Sequence, residues 1–506
     1  MRIVPSVPSL TRALRTQLAT ERYAGVLALA LPAVGEQLLN MLVGLADTFM
    51  VGHIGASAVA AVGLSNQAVM LITTFYAAVA TGVTALVARH TGARQADIAN
   101  RVLAQGYLLG LTFGVICTVF AIALAVPIMR LLRAPADVVA PGAAYLSIVA
   151  TTFVLAAWLF VGNAALRGFG DTRSPMLVMV AVNVVNIGVA YLFIYGPGPF
   201  PALGVTGSAI GAAIGRGVGG LVVTGLLLRG RPFRGAPPVA LEEETQGRQR
   251  DPENSGTLPV SPVERSPRRR TGQSPGALPA TPLRLRLDLL RPNAEQLRRI
   301  SNIGLPAGAE QLVMRLGMTT YITTVAALGT AAYAAHQVAL QVESLSYMPG
   351  FGFAVAATTL VGQGLGANNP RRARADGYLA RRLAVAFMST MGLVFFLFPA
   401  QIMSVFIDDP VVIALGVWPL RLVAFSQPML ATQMVFSGAL RGAGDTRATL
   451  MVTSAGLWLV RVPLAFFLTA RLGLIGAWIA MGIDLNLRGL GMWLRFRSGK
   501  WMQVKV

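Results

Sequence analysis

The chain has 506 residues, of which 54% are hydrophobic and only 12% charged, whereas an ordinary soluble domain carries about a quarter charged residues. That composition, with a mean hydropathy of +0.62, excludes a soluble enzyme. The net charge of +21 comes from 40 Arg and 2 Lys, but these cations sit at the termini, in alternate connections and in one central stretch, so they orient a membrane chain rather than read nucleic acid.

Residues 1–23 carry Arg but no short apolar core with a small-residue cleavage site, so they read as a cytoplasmic amino-terminal segment and not a signal peptide. No Asp, Glu, Lys or Arg occurs in the 41 residues from Thr48 to Ala88 or in the 42 from Ser174 to Gly215. Each run is about twice the roughly 20 residues that cross a bilayer, so each folds back as two spans. Apolar runs place six spans near 24–50, 56–88, 102–129, 138–166, 174–196 and 203–228, an amino-terminal lobe of 24–229.

From 230 to 293 the character changes: Gly230 to Pro292 holds 11 Pro in 63 residues, the acidic cluster Glu242, Glu243, Glu244 and the basic cluster Arg268, Arg269, Arg270. Such a composition cannot bury a core and reads as a disordered cytoplasmic linker. Six more spans follow near 300–328, 331–366, 383–407, 411–440, 448–470 and 472–494, a carboxyl-terminal lobe of 294–496 with a tail of 497–506. The continuous apolar runs lack the alternation of barrel strands, so the class is an all-α integral membrane protein with twelve transmembrane helices. Short connections carry twelve Arg on one side and three on the other, which puts both termini in the cytoplasm. One cysteine, Cys117, leaves no disulfide framework and no Cys-based metal site.

The two lobes are copies. "LPAVGEQL" (31–38) matches "LPAGAEQL" (305–312), and "LRGFGDTR" (166–173) matches "LRGAGDTR" (440–447), both at an offset of 274 residues. "LGVTGSAI" (203–210) aligns with "LGLIGAWI" (472–479) after a five-residue shortening. Six is an even number of spans, so the copies enter from the same side and are related by a pseudo-twofold axis along the membrane normal. That is an arrangement of transporters, with substrate bound between the lobes and no cofactor required.

The stretches "GLADTFMVGHIG" (44–55), "LRGFGDTR", "AAHQVALQVESLSYMPGFGFAVAATTLVGQGLGA" (334–367), "WLVRVPLAF" (458–466) and "RFRSGKW" (495–501) resemble the multidrug and toxic-compound extrusion (MATE) family. The wider group includes flippases of lipid-linked oligosaccharides and polysaccharide exporters. The resemblance implies a cation antiporter that exports amphipathic, mostly cationic organic compounds in exchange for H+ or Na+. It also implies that Asp47, which matches the family's "DT" acid in the first span, is the protonation or cation site of the amino-terminal lobe. This sequence has Ala190 where relatives often carry an acid in the fifth span, and Arg421 but no acid in the tenth, departures that favour proton coupling.

Ionisable groups at membrane depth are costly and mark candidate sites. Asp47 has Tyr321 as its repeat counterpart, so symmetric packing does not demand an acid there. Asn183 and Asn186 share a helix face, from which amide oxygens can coordinate a cation or hold the Asp47 carboxylate; such amides also bridge membrane helices. Glu36 and Glu310 are repeat equivalents, four residues after Pro32 and Pro306 and followed by Gln37 and Gln311. They either tie a broken helix to its neighbours or, with Gln37 and Glu343, line the substrate cavity. Glu343 lies near Pro349, Gly350 and Gly352 and has Arg461 or Arg315 as alternative partners. Arg461 and Asp484 fall at similar depth and read as a structural ion pair. His336 reads as a hydrogen-bonded packing residue, not a metal ligand. The two "LRG" loops read as helix stops, with Ser174 as a cap.

Together with the resemblance, the sequence implies a monomeric multidrug exporter of a bacterial inner membrane, with small organic cations as substrates and the bilayer as its surroundings. The alternative is a flippase or exporter of a specific lipid-linked sugar or metabolite.

Overall fold

The computed structural model describes residues 7–230 and 283–504, and their side chains other than those of 7–21 and Ala56. The first lobe comprises α1 (Val7–Gly52), α2 (Ala56–Gly92), α3 (Ala96–Ala123, followed by a short helix Ala125–Leu131), α4 (Ala136–Ala150 and Phe153–Phe169), α5 (Arg173–Tyr195) and α6 (Val205–Arg229). The second comprises α7 (Ala294–Ala326), α8 (Thr330–Gly366), α9 (Pro370–Leu397, then Pro399–Ser404), α10 (Pro410–Gly442), and α11 and α12, which together form Thr446–Arg497. Among the described residues nine helices are long and apolar enough to cross a bilayer, and the α4 pair, bent by 55°, makes a tenth span. Gly473 (φ 59, ψ −139) breaks the 52-residue stretch of α11 and α12 into two. The 33-residue α7, whose first turns are charged, completes twelve.

The duplication is written in the backbone. Positive φ angles recur in pairs 274 residues apart: Gly55 with Gly329, Arg94 with Asn368, and Gly170 with Gly444. Gly204 and Gly473 pair at the shorter spacing of the last helices. The interruptions of α3 at Leu124 and of α9 at Phe398 are likewise equivalent. In the second lobe side chains start the helices: Asn293 accepts from Gln296 N, Asn369 from Arg372 N, and Asp409 from Val411 N, with Pro370 and Pro410 in the first turn.

Within the first lobe, Gly207, Gly211, Gly215 and Gly219 form a four-residue-spaced stripe along α6. There it lies against Phe193, Ala190, Asn186 and Val182 of α5, with no room for a Cβ. Membrane helices approach this closely through small residues because lipid offers no hydrophobic drive to associate.

The lobes meet near the face that carries the Arg-rich connections. Gly92 of α2 rests on the Gln363 carbonyl of α8, and its equivalent Gly366 of α8 rests on the Arg89 carbonyl of α2. Gly304 packs on the Ala78 carbonyl and Gly352 on the Ala30 carbonyl, a second equivalent pair. Thr359 donates to the Arg167 carbonyl at 2.8 Å, and Gln363 Nε2 to the carbonyls of Gly168 and Phe169 at 3.2 and 3.1 Å. The cores do not follow the sequence halves: Val26, Leu29 and Ala30 of α1 belong to the core of the second lobe, and Ile300 and Ile303 of α7 to that of the first.

One expectation needs correction and two gain detail. The described part of α1 begins at Val7, so the segment expected at 1–23 is helical from there on. The linker expected at 230–293 lies outside the described residues from 231 to 282, but 283–293 is an ordered strap. Leu283 and Leu285 are buried against the first lobe, the Arg284 amide donates to Asn100, and the Leu285 amide donates to the Leu227 carbonyl. Gln105 of α3 holds its end, donating to the Leu289 and Arg291 carbonyls and accepting from Asn293 N. The alternation of Leu and Arg in 283–286 gives this segment one apolar face, Leu283 and Leu285, which a Pro-rich composition obscures. The described part of the carboxyl-terminal tail folds back too: Trp501 is fully buried, stacked on Phe496 at 4.7 Å.

Candidate functional site

Asp47 sits on α1, half-buried, with carboxylate oxygen Oδ1 enclosed and without a hydrogen-bond partner. Arg216 of α6 is the cation within electrostatic reach of Asp47, and of Tyr76 of α2 and Tyr145 of α4. Both tyrosines are buried. The Tyr76 hydroxyl has no partner among the described residues, while that of Tyr145 donates to Asn66 Oδ1 at 3.5 Å. Asp47 on α1, Tyr76 on α2 and Tyr145 on α4 thus share Arg216 of α6 as an electrostatic neighbour, a setting in which a proton or a cation changes the local charge. Arg216 and the two tyrosines escaped the sequence reading as partners of Asp47, since nothing in their spacing relates four different helices.

The Asn183 side chain donates to the Leu39 carbonyl at 2.8 Å, and Tyr195 to the Met50 carbonyl at 2.9 Å. These bonds fix α5 parallel to α1 and place Asn183 beside Leu39, eight residues from Asp47 along α1, about 12 Å at the helical rise. The Asn183 amide nitrogen thus bridges α5 and α1, while its Oδ1 is enclosed without a hydrogen-bond partner among the described residues. Asn186 stands one turn nearer, buried against Gly215 with Oδ1 unpartnered.

Glu36 and Glu310 serve as ties between helices. Each is buried and paired with the Arg of the duplicated loop motif: Glu36 with Arg167 at 2.6 Å, Glu310 with Arg441 at 3.0 Å. Glu310 also accepts from Thr449 and Thr453, each at 3.0 Å. The pairs are equivalent at the 274-residue offset, so they tie each lobe's first helix to its fourth, and the signal was present in the sequence as two Glu and two Arg in one register. Gln37, next to Glu36, is half-buried. In the first loop Asp171 accepts from the Arg173 and Ser174 amides; burial raises its carboxyl above the ordinary range. In the second its equivalent Asp445 instead pairs with Arg495 at 2.8 Å.

The second lobe holds a denser charge cluster. Arg461 Nε lies 2.8 Å from Asp484 Oδ2, the anticipated pair, and Arg488 NH2 lies 2.7 Å from the same oxygen. Arg488, four residues after Asp484 on one helix face, was legible by spacing and was missed. Arg461 ends a π-helical turn, Gly456–Arg461, that brings Gly456 against Asp484 and Arg488. Single-turn π-bulges occur frequently at functional sites. Glu343 is buried on α8, with Arg461 its electrostatic neighbour, but the guanidinium goes to Asp484. His336 is fully buried edge-on to the Tyr321 and Trp478 rings. It packs against these rings without the hydrogen bond expected of it, since neither ring nitrogen has a partner among the described residues.

The MatE family model matches residues 32–192 and 306–467, the two repeats. A probable multidrug resistance protein NorM of Thermotoga maritima is 30% identical, over 95% of this chain and 93% of that protein. The multidrug resistance protein NorM of Burkholderia vietnamiensis is 27% identical over 98% and 96%. A solved multidrug resistance MATE family transporter in an outward-facing conformation superposes with a TM-score of 0.79 at 23% identity, covering 96% of this chain and 97% of that one. A transporter from Pyrococcus furiosus, described as having a binding pocket of reversed polarity, also superposes with a TM-score of 0.79, at 22% identity, covering 96% and 97%. At such identity these structures speak for the fold alone. With both repeats matched by the family model and a relative aligned nearly end to end, the chain belongs to the MatE family of integral membrane transporters.

Proposed function

We propose that this protein is a secondary active antiporter that exports amphipathic, mostly cationic organic compounds in exchange for protons, with sodium as the alternative coupling ion. The observation that carries the reading is the Asp47 carboxylate, held with one unpartnered oxygen within electrostatic reach of Arg216 in a lobe that must move against its twin. Protonating Asp47 removes its attraction for a cationic substrate, so the two ligands compete for one group. The Arg-rich face is cytoplasmic by the excess of Arg in its connections, the membrane is a bacterial inner membrane, and the transport unit is one chain. The NorM relatives, named for multidrug resistance, support the substrate class.

The test is uptake of ethidium into inverted vesicles carrying wild-type protein or Asp47→Asn, driven separately by a proton or a sodium gradient. Gradient-driven uptake that is lost in the variant supports the reading, and the effective gradient identifies the ion. Full activity of Asp47→Asn removes the coupling role from this residue. A second reading, export of an anionic lipid-linked compound, draws on Arg216 and Arg315, which form no ion pair among the described residues. Absence of ethidium uptake under either gradient favours it.

A further inference from the structure

The pairs described for the second lobe leave one buried charge unaccounted for. Arg461 of α11 and Arg488 of α12 converge on the single carboxylate of Asp484, while Glu343, 5% exposed, makes no hydrogen bond or ion pair among the described residues. Its electrostatic neighbours are Arg461 from α11, Tyr321 from α7 and Tyr347 from its own helix, while Asp484 and Arg488 of α12 and His336 of α8 stand around Arg461. The network is incompletely satisfied. Arg461 Nε is close to Asp484 but not aligned to donate, and Asp484 Oδ1 and Arg488 Nε have no partner among the described residues. A buried polar network with unmade bonds lacks the rigidity of a satisfied one. The π-helical turn that ends at Arg461 gives the guanidinium a way to move, since slipping the bulge by one residue swings the side chain about the helix axis.

We propose that Glu343 is a second proton-exchanging carboxylate, in the lobe opposite Asp47, and that Arg461 positions it by moving between Asp484 and Glu343. With Glu343 ionised, two guanidinium groups face two carboxylates and the cluster is neutral. When Glu343 takes a proton from water on one side of the membrane, its carboxylate oxygen becomes a hydroxyl, Arg461 stays with Asp484, and the cluster carries one net positive charge. That charge opposes an organic cation held between the lobes; release of the proton to the other side restores neutrality. Proton and substrate therefore occupy opposite states of this lobe, as they do at Asp47. The inference rests on the antiport reading but differs in what it requires, namely a proton count with a contribution from each lobe.

The experiment is the number of protons released when ethidium binds to the purified, folded wild type in weakly buffered detergent solution, repeated for Asp47→Asn, Glu343→Gln and Arg461→Lys. Release by the wild type, with about one proton fewer per ethidium in Glu343→Gln, is the expected result. Arg461→Lys should keep the count while shifting the pH midpoint of release, which a purely structural role would not do. An unchanged count in a Glu343→Gln protein that still binds ethidium overturns the proposal while leaving Asp47 coupling intact. Loss of all release in Asp47→Asn alone would likewise confine exchange to the first lobe. Ethidium binding by the wild type without proton release overturns both readings. Should Glu343→Gln fail to fold, an unshifted midpoint in Arg461→Lys overturns the proposal by itself.

Discussion

The crossing of α2 and α8 offers a sharp perturbation. A Cβ placed on Gly366 would stand 1.8 Å from the Arg89 carbonyl oxygen, 2.8 Å from its carbon and 3.0 Å from the Ala93 nitrogen. A relaxed C···O contact needs about 3.3 Å or more, so Gly366→Ala drives the helices apart by roughly 1.5 Å. All three atoms are backbone, and no rotamer change relieves the clash. Overpacking of this kind costs about 1–3 kcal/mol. The cost falls only on the arrangement in which the lobes touch at this face, so the equilibrium should shift toward a parted face by about 5- to 150-fold. Spin labels at the exposed positions Gln95 and Arg371, in a Cys117→Ala background, report the separation. A longer-distance population should grow in Gly366→Ala, and not in Gly44→Ala, where nothing lies within 4 Å of the added atom. An unchanged distance distribution in folded Gly366→Ala would refute the claim that this contact holds the face shut.

The buried pairs should rank by how well water can rescue the orphaned cation. Asp484→Asn leaves Arg461 and Arg488 both buried without their shared carboxylate and should cost about 3–5 kcal/mol. Glu310→Gln leaves Arg441, which is 24% exposed, and should cost about 1–3 kcal/mol; thermal unfolding in detergent in the reverse order would contradict this. Arg488→Met should be milder than Asp484→Asn, because Asp484 keeps Arg461, and equal losses of midpoint temperature would show that the two cations are not equivalent partners. Gln105→Ala removes three hydrogen bonds from the strap, each worth about 0.5–1.5 kcal/mol; amide exchange at 285–293 should accelerate by roughly tenfold or more, and unaltered exchange would mean that the buried leucines suffice.

Much of this architecture could be read before any coordinates, because membrane physics leaves few options: long apolar runs become helices, and a duplicated sequence becomes a duplicated lobe. Asp47 stood out for the same reason, as an acid whose repeat equivalent, Tyr321, is not one. What escaped were relations between helices. The Asn183 to Leu39 bond depends on the register of α1 against α5, which no single helix reveals. The Glu36–Arg167 and Glu310–Arg441 pairs were visible as four residues at one offset, but charges sited in helix-stop motifs had no obvious reach to a neighbouring helix. The π-turn that ends at Arg461 and sets Gly456 against Asp484 and Arg488 carries no local sequence signal.

The exchange of helix ends between the cores bears on how the molecule is made. Val26, Leu29 and Ala30 leave the ribosome early, yet their packing partners lie in the second lobe, so the start of α1 stays without its final neighbours until most of the protein has been synthesised. Conversely, the strap at 283–293 and the start of α7, translated after the linker, complete the first lobe. Neither sequence half is thus a finished folding unit, and a chain severed between 231 and 282 should remain one particle, its fragments clasped by each other's helix ends.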